Sequence, residues 1–136
     1  MMDKRIIPAR IDCLDDATGF VEKIADSASF PEEKKLQIHL AVEEIFVNIA
    51  TYAYPSGEGE AELCCELLSD PVRIRITFSD SGEPFDPLAR EEADTSEAAL
   101  LERDGGLGIL LVKKLMDSVS YRHSDGRNVL TIEKRK

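Results

Sequence analysis

The sequence predicts a two-layer α/β (α+β) sandwich, in which a mostly antiparallel sheet is covered by helices on one face. Three observations predict it. Two stretches with helical periodicity are followed by two alternating apolar and polar stretches, and a further apolar helix then leads into a hairpin. The length, 136 residues, is that of one domain built on one core, so residues 1–136 are read as a single unit.

Residues 4–11 read as the first strand and residues 14–28 as the first helix. Residues 31–53 form a second helix, with Pro31 at its first turn, where a missing N–H does no harm. Residues 61–68 and 72–78 alternate as strands, and residues 107–116 are helical. Residues 118–123 and 129–134 make a hairpin across Asp125-Gly126. Residues 83–104, rich in Glu, Asp, Ala and Ser, interrupt the order as an insert too long for an inert connection, which marks them as a lid or binding loop.

Composition excludes several functions. The formal charge of -10 repels a nucleic-acid backbone, so no direct nucleic-acid partner is expected. Cys13, Cys64 and Cys65 show neither a disulfide framework nor zinc spacing, which fits a reducing cytoplasm. No stretch reaches the roughly 18 to 20 apolar residues of a membrane span, and the start lacks the apolar core of an export signal. A cytoplasmic protein without a membrane partner is the expectation.

Three segments can carry chemistry. On the second helix, Gln37, Glu44, Asn48 and Thr51 gather in one polar stripe on an otherwise apolar rod. The stripe is either the wet side of the helix or a pocket wall. In a pocket, the Glu44 carboxylate could accept a proton and the Asn48 amide oxygen could coordinate a hard cation such as magnesium. Glu43, about 100° away, would be excluded.

In the second segment, strand parity places Asp80 on the face of Val72, Ile74, Ile76 and Phe78, the side of the core. A carboxylate there needs a donor, and the exocyclic amine of adenine is one, with Gly82 allowing close approach of the base. The plainer reading is a turn that ends a strand. In the third segment, Gly105, Gly106 and Gly108 open an apolar helix whose first N–H groups would suit phosphate, or they are a flexible loop before a helix start. No strand feeds this helix and no Gly-Lys-Ser/Thr follows, so dinucleotide-binding and P-loop folds are set aside. His39 and His123 read as surface or packing residues.

In their order, Glu44-x-x-x-Asn48, Asp80-x-Gly82 and Gly105-Gly106-x-Gly108 behind an insert resemble the asparagine box and the two glycine boxes of the GHKL superfamily. That resemblance implies a Bergerat ATP-binding fold holding ATP and Mg2+ beneath a mobile lid. The short chain, Ala41-Val42-Glu43-Glu44 and Gly106-Leu107-Gly108 further resemble the anti-sigma-factor serine-protein kinases. The family resemblance implies a sigma factor and an anti-anti-sigma protein as partners, and homodimerisation. It implies that Glu44 is the general base, Asn48 the magnesium ligand and Asp80 the adenine contact, with Gly82, Gly105, Gly106 and Gly108 as nucleotide-loop glycines. Tyr52 departs from the histidine that many relatives place after the asparagine, and Glu91, Glu92, Asp94, Glu97 and Glu102 make the insert strongly acidic.

Overall fold

A computed structural model describes residues 2–55, 57–84 and 106–136. Strand β1 (Met2–Pro8) leads through a 3-10 turn (Ile11–Cys13) into helix α1 (Leu14–Ser27). Helix α2 (Glu32–Asn48) continues into a π-helical turn, Ile49–Ala53. Strands β2 (Glu60–Leu68) and β3 (Arg73–Asp80) follow, then α3 (Gly106–Leu115), β4 (Ser118–Ser124) and β5 (Arg127–Arg135). The sheet order is β1-β2-β3-β5-β4, and every pairing is antiparallel.

Alternation along the strands builds one apolar face. Ile7, Ala61, Leu63, Cys65, Ile74, Ile76, Phe78, Leu130 and Ile132 are buried on it. Helices α1, α2 and α3 cover that face, with α2 in contact with both α1 and α3. This central position explains why α2 is apolar around so much of its circumference: Ile38, Ala41, Val42, Ile45 and Phe46 are buried. Full burial of side chains such as Phe46 and Phe78 stabilises the fold by roughly 1.5 to 3 kcal/mol each.

The opposite face of the sheet is solvated. It carries a ladder in which Glu133 accepts from Arg73 at 3.2 Å and Arg75 at 2.9 Å, while Arg75 also reaches Glu66 at 3.5 Å. Partly exposed pairs of this kind add little stability. The chemistry therefore belongs on the helical side.

Element boundaries differ from expectation at several places. The first strand ends at Pro8, on a sheet edge where a missing N–H is tolerated, and the chain turns as Ala9 N donates to Gly59 O at 2.9 Å. The end of the second helix widens to a π turn. Strand β3 runs on to Asp80, paired with Ala61 on one side and Asn128 on the other, while Val72 lies outside it and is exposed. Most of the expected insert, residues 85–104, lies outside the described residues, as does Gly105.

Candidate functional site

Asp80 is the last residue of β3 and keeps the parity of Ile74, Ile76 and Phe78, so its carboxylate is carried into the core face at 5% exposure. Such a group must be hydrogen-bonded. Oδ1 accepts from the backbone N–H of Gly82 and from Nδ2 of Asn128, each at 2.9 Å. No described residue donates to Oδ2.

Asn128 lies directly across the β3–β5 ladder from Asp80 and is buried. Its Nδ2 also donates to the Glu83 carbonyl at 2.8 Å, and its Oδ1 accepts from the Tyr121 hydroxyl. Sequence reasoning missed Asn128 and Tyr121. One signal for Asn128 was present: it is a polar side chain that shares strand parity with the apolar Leu130 and Ile132.

Gly82 is where expectation and structure differ in reason. A Cβ on it would stand 2.2 Å from the carbonyl oxygen of Ala53, so packing of the protein's own π turn already requires glycine here, whether or not a base also approaches it. Tyr54, just after that turn, donates its hydroxyl to Glu60 O at 2.6 Å and accepts from Ser81 N at 2.9 Å. The end of α2 is thereby fastened to the end of β3.

These contacts frame one cleft. Its walls are Ile45, Asn48, Ile49, Tyr52 and Ala53 from α2 and the π turn, Phe78, Asp80 and Glu83 from β3 and its exit, Ile109 from α3, and Tyr121, Asn128 and Leu130 from the hairpin. Asn48 and Asp80, far apart in sequence, meet here. The Asn48 side chain makes no hydrogen bond to another described residue, so its amide faces the cleft uncommitted. Gly106 opens α3 and Gly108 lies in its first turn, one residue before Ile109.

Glu44 is not part of these walls. It sits one helical turn before Asn48, half-buried, and burial followed by the charge of Glu43 raises its carboxyl above the usual glutamate range. Glu43 faces α1 instead: His39 Nε2 approaches Glu43 at 3.7 Å while His39 Nδ1 pairs with Glu22. The two adjacent carboxylates are thus in different surroundings, and His39 ties α1 to α2.

The cleft suits a flat heterocycle bearing an amine. Ile45, Ile49, Phe78, Ile109 and Leu130 supply apolar walls, and Oδ2 of Asp80, without a donor among the described residues, supplies an acceptor. Among the described residues there is no group of three or more His, Cys, Asp or Glu side chains able to hold a metal. Magnesium does not need one, because it keeps water and phosphate oxygens and takes few protein ligands, of which an Asn48 oxygen is a suitable kind.

Comparison with known proteins gives the class first. Residues 7–134 match the family model described as the histidine kinase-like ATPase domain, and the chain belongs to that family. Its relatives are more particular. It is 32% identical over 111 residues to the serine-protein kinase RsbW of Listeria monocytogenes, covering 79% of this chain and 70% of that protein. It is 34% identical over 100 residues to RsbW of Staphylococcus epidermidis, covering 69% and 62% respectively. The resemblance to the anti-sigma-factor serine-protein kinases is borne out.

Solved structures show the same fold. A chain of the SiaB-SiaC complex from Pseudomonas aeruginosa superposes with a TM-score of 0.63 at 14% identity, covering 98% of this chain and 89% of that one. The histidine kinase domain of the Erythrobacter litoralis EL346 blue-light activated histidine kinase gives 0.59 at 16% identity, covering 89% and 60%. The α/β sandwich expected from the sequence is the fold of these neighbours. No helix among the described residues is long and apolar enough to cross a membrane.

Proposed function

We propose that this chain is an ATP-dependent protein-serine kinase and anti-sigma regulatory factor, which phosphorylates an anti-anti-sigma partner and sequesters a sigma factor. One observation carries the reading. Asp80 is buried, its Oδ1 is satisfied by Gly82 and Asn128, and its Oδ2 is left without a described donor in an apolar cleft that an adenine would fill. The names of the RsbW relatives support the phosphotransfer part.

Bound Mg-ATP supplies the electrophilic γ-phosphorus and the counter-charge for the transferring group. Asp80 accepts from the adenine amine, and Gly82 keeps Asp80 in place through its N–H. At the start of α3 the backbone N–H groups of Gly106 and Gly108 would meet the phosphates, and Gly105, outside the described residues, joins them on the sequence motif alone. Asn48 offers its amide oxygen to magnesium. Glu44 takes the proton from the partner serine as the Oγ–P bond forms and the bond from phosphorus to the ADP oxygen breaks. A carboxyl held above the usual glutamate range by burial is a better proton acceptor than an exposed one.

A second reading, a nucleotide-gated binding module with little or no phosphotransfer, is favoured by the position of Glu44 outside the cleft walls. Incubation of the protein with γ-labelled ATP and purified candidate partners separates the two. Label on a partner serine supports the kinase, whereas a nucleotide-dependent complex without label promotes the module.

A further inference from the structure

Asp80 reaches the cleft on a strand end, and a carboxylate there can rotate about its last bond unless something holds it. Two donors converge on Oδ1, the Gly82 N–H and Asn128 Nδ2, and none of the described residues donates to Oδ2. Asn128 is itself fixed. The Tyr121 hydroxyl donates to its Oδ1, while its Nδ2 is shared with the Glu83 carbonyl at 2.8 Å and approaches the Gly82 carbonyl at 3.5 Å. The amide orientation is therefore set from both ends: an acceptor faces the tyrosine hydroxyl and a donor faces Asp80.

From this arrangement we infer that Asn128, held by Tyr121, is a positioning residue that fixes Asp80 as a one-sided acceptor and so makes the cleft select 6-aminopurine over 6-oxopurine nucleotides. The inference rests on the nucleotide reading above. With Oδ1 occupied, only Oδ2 meets the base, and it meets it as a lone pair. The amine of adenine donates to that atom, whereas a 6-oxo group brings its own lone pairs to the same place and leaves both acceptors unpaired. Remove the Asn128 donor and the carboxylate can turn, so that it no longer presents one fixed lone pair to the base. Discrimination then relaxes even though Asp80 is still present.

The test is the affinity of the full chain for ATP and for inosine triphosphate, measured by calorimetry in wild type, Asn128→Leu and Tyr121→Phe, with thermal unfolding of each protein alone. Wild type prefers ATP by about 10- to 100-fold. Asn128→Leu, similar in size but without a donor, compresses the ratio to within about threefold, and Tyr121→Phe, which deletes a single hydroxyl, lowers it part of the way. A purely structural role would weaken both nucleotides equally. An unchanged ATP to inosine triphosphate ratio in Tyr121→Phe and in any folded Asn128→Leu overturns the inference while leaving nucleotide binding intact. If Asn128→Leu does not fold, Tyr121→Phe decides. Wild type that binds both nucleotides equally also overturns the inference, and wild type that binds neither overturns the nucleotide reading beneath it.

Discussion

Gly82 lies so close to Ala53 that a Cβ on the glycine would stand 2.2 Å from the Ala53 carbonyl oxygen and 2.8 Å from its Cα. Backbone on both sides leaves no flexible side chain to give way. Gly82→Ala is expected to destabilise the fold by about 1 to 3 kcal/mol, the range for forcing extra volume into a packed place. Denaturant unfolding checks it, with Gly19→Ala as the control: Gly19 is exposed in the middle of α1 with open space around it. There the change should stabilise by roughly 0.5 to 1 kcal/mol through helix propensity. Equal stability of Gly82→Ala and wild type would remove the close contact between the exit of β3 and the π turn from the account.

Glu44→Gln is expected to leave ATP affinity nearly intact and to lower phosphoryl transfer to a partner serine by about 10²- to 10⁴-fold, the range for loss of a positioned base. The control is Glu43→Gln, because Glu43 faces His39 on the side of α1. Single-turnover transfer with labelled ATP reads both variants. Wild-type transfer by Glu44→Gln, or an equal loss in Glu43→Gln, counts against Glu44 as the base.

The raised carboxyl of Glu44 has consequences for pH. Transfer needs the ionised form, so the acid limb of the rate profile should lie above the usual glutamate range and be absent from Glu44→Gln. Stability has the opposite sense. A carboxyl raised on folding binds its proton more tightly in the folded state, so its favourable contribution is full at low pH and is lost as pH rises through the raised value. Glu44→Gln should therefore gain melting temperature relative to wild type at neutral pH, and the difference should shrink below the ordinary glutamate range. A variant less stable than wild type at neutral pH would contradict the cause assigned to the shift.

The cysteines give a solvent-accessibility prediction. Burial is the first cause that pushes the Cys65 thiol up to about 12, and it also raises Cys64, which lies half-exposed on the other face of β2. Thiolate is the reactive form. A thiol reagent at mildly alkaline pH should label Cys64 slowly in the folded protein, and Cys13 and Cys65 only on unfolding, with labelled peptides read by mass spectrometry. Rapid labelling of Cys65 in the native state would contradict its place in the core.

Much of this arrangement was legible in the sequence because it is written in local periodicity. The order of strands and helices, and the inward parity of Asp80 with Ile74, Ile76 and Phe78, follow from period-2 and helical patterns that survive folding. The pairing of Asp80 with Asn128 does not, since it depends on the β3–β5 register between residues distant in the chain. The Gly82 contact with Ala53 is hidden for the same reason. The π turn at Ile49–Ala53 was hidden for another: widening one helical turn leaves no mark in an apolar pattern that already surrounds the helix. Early termination of β1 at Pro8 was more nearly readable, from proline itself.

Calorimetric titration of Mg-ATP into wild type and Asp80→Asn tests the central claim most directly, that the cleft between α2, β3 and α3 binds an adenine nucleotide through this carboxylate. In Asp80→Asn the new amide oxygen can still accept from Asn128 and Gly82, but its other group becomes a donor facing the donor of the base. The predicted result is clear binding heat for wild type and a loss of about 1 to 3 kcal/mol of binding free energy in the variant, with the fold retained. Equal ATP affinity in the two proteins would move the base away from Asp80, and no binding heat in wild type with any adenine nucleotide would contradict the account at its root.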